Sequence, residues 1–234
     1  MKISRVPDLA LTINRWVSFQ QMVGRGGLLS EHYLGQPVAE YLLHRHAGLL
    51  TPEDDHPILQ TGTAGRPRQL DYTLRHRQSK KLNIAFECKW ISGKAYDNQR
   101  ILNDLLRLEI LAGSGNSEPT CFFIVAGLVE NFNLRFRDLQ LNHGGSRVPF
   151  TRTLFTSPTK PKNMRHTVKV QHAHHAMRPF FRQFALDYKS TLPTKFDTKI
   201  IARTVEDGIA VSIWQIYSQK RRATFDPKVK WSDA

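Results

Sequence analysis

Asp71, Glu87 and Lys89 lie on either side of a predicted hairpin turn. Two strand-like runs flank the polar stretch RQSKK, and a turn centred there places Asp71 directly opposite Glu87. Facing side chains of an antiparallel pair have Cβ atoms about 4.5–5.5 Å apart. Lys89 follows Glu87 by two positions, so it shares the same face of its strand. The spacing therefore predicts two carboxylates and an ammonium group on one surface.

Two facing carboxylates repel each other, and a cation between them would relieve the repulsion. Mg²⁺ prefers carboxylate oxygens, backbone carbonyls and water as ligands. Asp71, Glu87 and the backbone carbonyl of Cys88 would supply three ligands, leaving positions for water and a phosphate oxygen. Such a metal activates water, and Lys89 would orient the nucleophile or neutralise the transition state. The other interpretation is an exposed hairpin on which Glu87 and Lys89 form only weak surface ion pairs.

The helix expected before the hairpin offers a further acid. At 100° per residue, Leu34, Val38 and Leu42 define its buried stripe. Glu31 falls within that stripe, whereas Glu40 faces away from it. An acidic side chain on a core-facing stripe is costly unless it has a partner. We therefore expect Glu31 to be an outer-sphere metal ligand, with Glu40 as the alternative.

Hydrophobic periodicity predicts the elements that must position these residues. Helices are expected over residues 8–23, 30–47 and 97–112 and within 172–188, and strands over 70–75, 82–90, 121–129 and 209–217. The second strand has one apolar face, made of Leu82, Ile84, Phe86, Cys88 and Trp90. Prolines and glycines in residues 51–68 indicate a long connecting loop, and a basic tail follows residue 217. This order of elements predicts an α/β domain with a C-terminal extension.

The positive charge of the chain is concentrated in two segments. The 234 residues carry 34 Lys and Arg against 20 Asp and Glu, a formal net charge of +14. Residues 65–107 hold 10 against 4, and residues 151–234 hold 16 against 6. This distribution favours a polyanionic partner, nucleic acid before an anionic membrane. Two solvated basic faces without a ligand are the alternative.

Composition disfavours several other classes of protein. No run approaches 18 consecutive apolar residues, so no membrane-spanning helix is expected. Two cysteines, Cys88 and Cys121, do not make a disulfide framework and indicate a reducing, cytoplasmic location. Zinc is disfavoured because no CxxC pair accompanies the histidines of the C-terminal segment, which are His166, His172, His174 and His175.

The acidic residues and the lysine also resemble a known motif. Glu31, then Asp71, then a Glu-X-Lys tripeptide from Glu87 to Lys89 is similar to the pattern of the PD-(D/E)XK nuclease superfamily. The resemblance covers roughly residues 28–130. It departs from the motif at Leu70, where the family name has proline, a position that varies in such proteins.

The resemblance implies a restriction-endonuclease-like core, in which a mixed central sheet is flanked by helices. It implies that Asp71 and Glu87 bind Mg²⁺, for which Mn²⁺ would substitute, that Lys89 is the catalytic lysine and that Glu31 is the helix acid. Residues 1–150 would form the nuclease-like core, with residues 151–234 completing and extending it.

The expected activity is hydrolysis of phosphodiester bonds, with DNA as the substrate, in transposition, restriction or phage defence. The alternative is a non-catalytic nucleic-acid-binding subunit of a larger nucleoprotein complex. A third possibility is a subunit of a larger complex in which the basic C-terminal segment binds a partner protein rather than DNA.

Overall fold

A mixed seven-stranded sheet flanked by helices makes the protein an α/β fold. The computed structural model describes residues 6–46, 48–59, 68–91, 98–114, 119–132, 165–173, 178–218 and 223–231. The strands of the sheet are β1 Leu49–Asp55, β2 Gln69–Arg75, β3 Leu82–Ile91, β4 Thr120–Leu128, β5 Arg165–Val168, β7 Phe196–Glu206 and β8 Ile209–Tyr217. Their order across the sheet is β1-β2-β3-β4-β8-β7-β5, and β6 Leu192–Pro193 pairs separately with β9 Thr224–Phe225.

Helices cover both faces of this sheet. They are α1 Val6–Met22, α2 Glu31–Arg45, α3 Asn98–Ala112, α4 Arg178–Asp187 and the short α5 Pro227–Lys230, with 3₁₀ turns at Gly26–Leu28 and Val170–His172. The apolar residues of α1 and α2 pack on one face, and those of α3 and α4 pack on the other. None of the described helices is long and apolar enough to cross a membrane.

The strand β3 and the helix after it organise the centre of the sheet. β3 and β4 are parallel, whereas every other neighbouring pair in the seven-stranded sheet is antiparallel. A parallel pair needs a crossover connection, and α3 supplies it. The predicted helix 97–112 and the predicted strand 121–129 are both confirmed, and each end lies within one residue of its predicted position. Asp97 itself lies outside the described residues.

The predicted hairpin register is confirmed along three cross-strand pairs: Tyr72–Phe86, Thr73–Ala85 and Leu74–Ile84. Next to the turn the register shifts by one residue, so that Arg75 pairs with Leu82. Leu82 consequently packs against the core on the α3 side, whereas Phe86 packs on the α2 side. The prediction that these two residues share a face is wrong because a bulge reverses the alternation.

The segment predicted as a loop over residues 51–68 contains a strand instead. Residues Leu49–Asp55 form β1, which pairs with β2 and lies at the edge of the sheet. Pro52 is tolerated there because an edge strand leaves one row of backbone groups unpaired. Residues 60–67 of that segment lie outside the described residues.

Residues after 150 contribute three further strands to the same sheet. β8 coincides with the predicted strand 209–217, while β7 and β5 were not predicted. Asp207 and Gly208 connect β7 to β8 with positive φ angles of 51° and 75°, as two-residue hairpin turns require. The described part of the basic tail also packs against the domain, because Trp231 is only 4% exposed and its ring contacts Phe181 and Phe225.

Candidate active site

β2 and β3 separate beside the residues of the predicted site. Their pairing ends at Tyr72 and Phe86, although β2 continues beside β1 as far as Gln69 and β3 continues beside β4 as far as Ile91. Residues 69–71 of β2 and residues 87–91 of β3 therefore border an opening in the sheet. On the sides away from this opening, β2 still pairs with β1 and β3 still pairs with β4. Side chains can reach into such an opening from both strands and from the helices next to it.

Asp71 bridges this opening. Its Oδ2 accepts a hydrogen bond from the backbone N–H of Cys88 at 2.6 Å, in place of a strand-to-strand bond. Burial raises the pKa of Asp71 to about 6, and the carboxylates of Glu31 and Asp104 contribute in the same direction. The hydrogen bond from Cys88 opposes the shift without cancelling it.

Lys89 lies between two carboxylates. Its Nζ is 2.6 Å from Glu31 Oε1 and 2.9 Å from Asp104 Oδ2, and the residue is only 7% exposed. Burial by itself would lower the pKa of Lys89, but Asp104 and Glu31 together raise it above its ordinary value. Lys89 is therefore a protonated cation held in one position by two different helices, α2 and α3.

Arg107 on α3 pairs with Glu87 on β3. Its guanidinium is 2.6 Å from Glu87 Oε1 and 3.2 Å from Asp104 Oδ1, and it also donates to the backbone carbonyl of Gln69. Glu87 is only 2% exposed, and burial raises its pKa well above the usual range although Arg107 opposes this. Arg107 thus connects α3 to both sides of the opening.

His56 supports the backbone of Arg107. Its Nδ1 accepts the backbone N–H groups of Ile58 and Leu59 at 3.2 and 3.0 Å, so the ring proton lies on Nε2. That nitrogen donates to the carbonyl of Arg107 at 3.1 Å. Burial lowers the pKa of His56 to about 4, which keeps the ring neutral in this position.

We define the acidic cluster as Glu31, Asp71, Glu87 and Asp104 with the two cations Lys89 and Arg107. With all six groups ionised, the cluster carries two surplus negative charges. The pKa values of Asp71, Glu87 and Asp104 are all raised, with burial as the largest cause in each case. A bound divalent cation would neutralise the surplus and lower these pKa values, because an opposite charge favours the ionised carboxylates.

The donor types of the acidic cluster suit a hard cation such as Mg²⁺, because carboxylate oxygens are its preferred protein ligands. The grouping of the side chains is less favourable. Arg107 is paired with Glu87, and among the residues that the structure describes no three His, Cys, Asp or Glu side chains form a group that could hold a metal ion. A metal at this site consequently stays a prediction.

A cavity of about 530 Å³ gives access to the cluster from the α2 side. Glu31 and Asp71 line it, together with His32 and Glu53. Gly35 is needed there, because the hydroxyl of Tyr72 occupies the space that a Cβ atom would take. Glu31 and Asp71 thus face a space large enough for a ligand, with Lys89 and Glu87 buried behind them.

The structure brings all four predicted side chains into one place. Glu31 reaches Lys89, whereas the alternative acid, Glu40, is exposed and bonded to Gln36. The interpretation of an exposed hairpin with surface ion pairs is wrong, since Glu87 and Lys89 are buried.

Asp104 and Arg107 are cluster residues that the sequence did not identify. Arg107 is buried on the side of α3 that faces the sheet, whereas Arg100, two turns earlier in the same helix, is exposed. The available signal was a pair of charges in an otherwise apolar stretch of α3 that includes Leu102, Leu105 and Leu108. Two of the C-terminal histidines, His174 and His175, lie outside the described residues.

A scan against protein-family models finds no match for this chain, and searches of curated proteins and of solved structures find none either. What the acidic cluster can do is therefore judged from its own geometry and charge.

Proposed function

We propose that the protein is a Mg²⁺-dependent nuclease with a restriction-endonuclease-like core, which hydrolyses phosphodiester bonds in DNA in the cytoplasm. The observation that carries this proposal is the acidic cluster at the opening between β2 and β3. There Asp71, Glu87 and Lys89 lie together with Glu31 beside a cavity. The resemblance to PD-(D/E)XK nucleases suggests a role in transposition, restriction or phage defence.

Asp71 and Glu87, with the backbone carbonyl of Cys88, would hold the metal, and Glu31 would act from the outer sphere. Bound Mg²⁺ supplies activation of water and stabilisation of charge on the phosphate. Because its pKa is raised, Lys89 keeps its proton and donates a hydrogen bond rather than acting as a general base. Glu31 and Asp104 fix the position of its ammonium group, so that it can neutralise charge that develops on the phosphate.

Charge elsewhere on the protein supports a polyanionic substrate. The chain carries a net charge of +14, and the turn between β2 and β3 is fully exposed and basic, with Arg77, Lys80 and Lys81. Exposed Lys and Arg side chains bind phosphates without reading sequence. A negative cluster in a basic chain suits binding a polyanion and cutting it at one place.

The direct test is cleavage of supercoiled plasmid and linear DNA with Mg²⁺, Mn²⁺ or EDTA. We expect cleavage with either metal, none with EDTA, and a loss of at least 100-fold in Asp71→Asn, on the order expected for removing one catalytic group. Glu40→Gln is the matched control, because it removes an exposed acid from α2. The proposal is overturned if the wild type cuts no DNA with any divalent metal, or if Asp71→Asn cuts as well as Glu40→Gln.

A second function is favoured by the ion pair of Arg107 with Glu87. This pair satisfies a carboxylate that a metal would need, as expected of a non-catalytic nucleic-acid-binding subunit of a larger complex. Such a protein would bind DNA with an affinity that falls with salt concentration and persists in EDTA. Binding of that kind without cleavage in any divalent metal would favour this second function.

A further inference from the structure

A second cavity, of about 210 Å³, lies between α3 and α4. Three aromatic residues line it: Phe180, Phe184 and Tyr188. The rings of Phe184 and Tyr188 lie 4.5 Å apart, and Phe180 is partly exposed. A partly exposed aromatic wall of this kind provides a surface on which a planar ring can stack.

The hydroxyl of Tyr188 lacks a partner in this cavity. The residue is 5% exposed, and no hydrogen bond to its hydroxyl is formed by any residue that the structure describes. An unsatisfied buried hydroxyl is costly, and buried polar groups without a partner are rare in folded proteins. This hydroxyl has almost no accessible surface, so Tyr188 contributes its ring to the wall of the cavity and not a hydrogen-bonding group for a ligand.

Two arginines border the same cavity. Arg68 lies with its guanidinium 5.8 Å from the Tyr188 ring centroid, and Arg100 is exposed on α3. Guanidinium groups bind phosphate through paired hydrogen bonds. Among the lining residues that the structure describes, Asp187 is the one carboxylate, and its Oδ1 accepts a hydrogen bond from Gln183 at 2.6 Å. The rim therefore carries a net positive charge.

The cavity is adjacent in the chain to the acidic cluster. Arg68 immediately precedes Gln69, whose carbonyl accepts from Arg107, and Asn103 in the lining immediately precedes Asp104. Arg100 and Arg107 are seven residues apart on α3, which is about 10 Å along a helix. The cavity lies on the α3 and α4 side of the sheet, whereas the cluster is reached from the α2 side, so a strand bound at both would pass around the domain.

We propose that this cavity binds an unpaired nucleobase, which stacks on Phe180 while Arg68 and Arg100 bind the neighbouring phosphates. Base stacking on aromatic side chains combined with a basic groove is how single strands are bound without sequence preference. The proposal rests on the proposed nuclease function and narrows its substrate to nucleic acid that contains a single-stranded stretch.

The test is binding of DNA that contains the fluorescent base 2-aminopurine, whose emission falls when the base stacks. The full chain is titrated in EDTA into a single-stranded oligonucleotide and into the matched duplex, so that cleavage plays no part. We expect quenching and tighter binding for the single strand. Phe180→Ala should weaken that binding roughly tenfold and remove the quenching. Arg100→Ala should weaken it and reduce the slope of log K against log salt by about one.

Arg45→Ala is the matched control, because Arg45 is exposed at the far end of α2, 14 residues from Glu31. Arg100 is exposed, so its substitution keeps the test valid if Phe180→Ala disturbs folding. The proposal is overturned if duplex and single strand bind equally, or if Phe180→Ala and Arg100→Ala bind like Arg45→Ala.

Failure of this proposal can be distinguished from failure of the nuclease function. Stacking of the base in EDTA together with no cleavage in any metal refutes the nuclease and supports the cavity. Metal-dependent cleavage of DNA together with no stacking of the base in EDTA refutes the cavity and leaves the nuclease intact.

Discussion

Both faces of β3 are buried, but only one of them carries charged side chains. Ile84, Phe86 and Cys88 point into the apolar core beneath α1 and α2. Glu87 and Lys89, which alternate with them, point toward α3, where they pair with Arg107 and Asp104. Burial of apolar area stabilises the folded state, whereas burial of ion pairs is often neutral or unfavourable. The comparison shows that only the face toward α3 places charged groups in the interior, where ion pairing must offset the cost of burying them.

The largest expected effect on the charged face is that of Arg107→Met. Removing the guanidinium of Arg107 leaves Glu87 buried without a paired cation. We therefore expect the free energy of unfolding to fall by about 3–5 kcal/mol. Adding Glu87→Gln to this variant should restore much of the lost stability, because the double variant has no unpaired carboxylate at position 87. Urea denaturation of the two single variants and the double variant measures this. A cost below about 1 kcal/mol for Arg107→Met would show that the pair does not hold the charged face together.

Asp71→Asn should stabilise the metal-free protein above pH 6. The pKa of Asp71 is raised from 3.8 to about 6, so its contribution to stability is complete below pH 3.8 and is lost as the pH rises through 6. The loss amounts to about 3 kcal/mol, which Asn avoids while still accepting the hydrogen bond from Cys88.

Unfolding of wild type and Asp71→Asn in EDTA across this pH range measures the difference, with Glu40→Gln as the control. Added Mg²⁺ should stabilise the wild type and leave Asp71→Asn unchanged. A difference between wild type and Asp71→Asn that is independent of pH would contradict the raised pKa.

His56→Gln should change stability with the opposite sign over the same pH range. The pKa of His56 is lowered from 6.5 to about 4, so its contribution is present above pH 6.5 and is lost as the pH falls toward 4. The wild type should therefore lose about 3 kcal/mol on acidification that His56→Gln does not lose. Urea denaturation at several pH values measures this, and His44→Gln, at an exposed position on α2, is the control. Parallel pH profiles for wild type and His56→Gln would refute the prediction.

The smallest expected effect belongs to the apolar face. Ile84→Val removes one buried methylene and should cost about 1 kcal/mol of stability. Cleavage at a temperature where both proteins are folded should be unchanged, since Ile84 packs on the side away from Glu87 and Lys89. A tenfold loss of cleavage in folded Ile84→Val would show that the two faces are not functionally separate.

The hairpin was predictable because its information is local. Alternation along residues 82–90 and a short polar turn determine which side chains face each other, and the observed pairs follow that register. β1 was missed because an edge strand with Pro52 and three acidic residues lacks the alternation that marks a half-buried strand. β7 was also missed, although Asp207-Gly208 before a strand is a turn signal that indicates a hairpin.

The partners of the predicted site were not predictable in the same way. Their spacing of three residues places Asp104 and Arg107 on one side of α3, but it does not show what that side contacts. Only the packing of α3 on the sheet shows that Asp104 reaches Lys89 and that Arg107 reaches Glu87. The same is true of His56, whose partners are separated from it in the sequence by as many as 51 residues.

The amino-acid sequence by itself determined which residues of β2 and β3 face one another, which faces of the helices are apolar, and that Glu31 needs a polar partner. These follow from periodicity, since side chains repeat every two residues in a strand and every 3.6 in a helix. Tertiary structure alone decided that β2 and β3 separate beside Asp71, that Lys89 is shared by two helices and that Glu87 is paired with Arg107. Those outcomes depend on contacts between segments far apart in the chain, whose geometry no local pattern specifies.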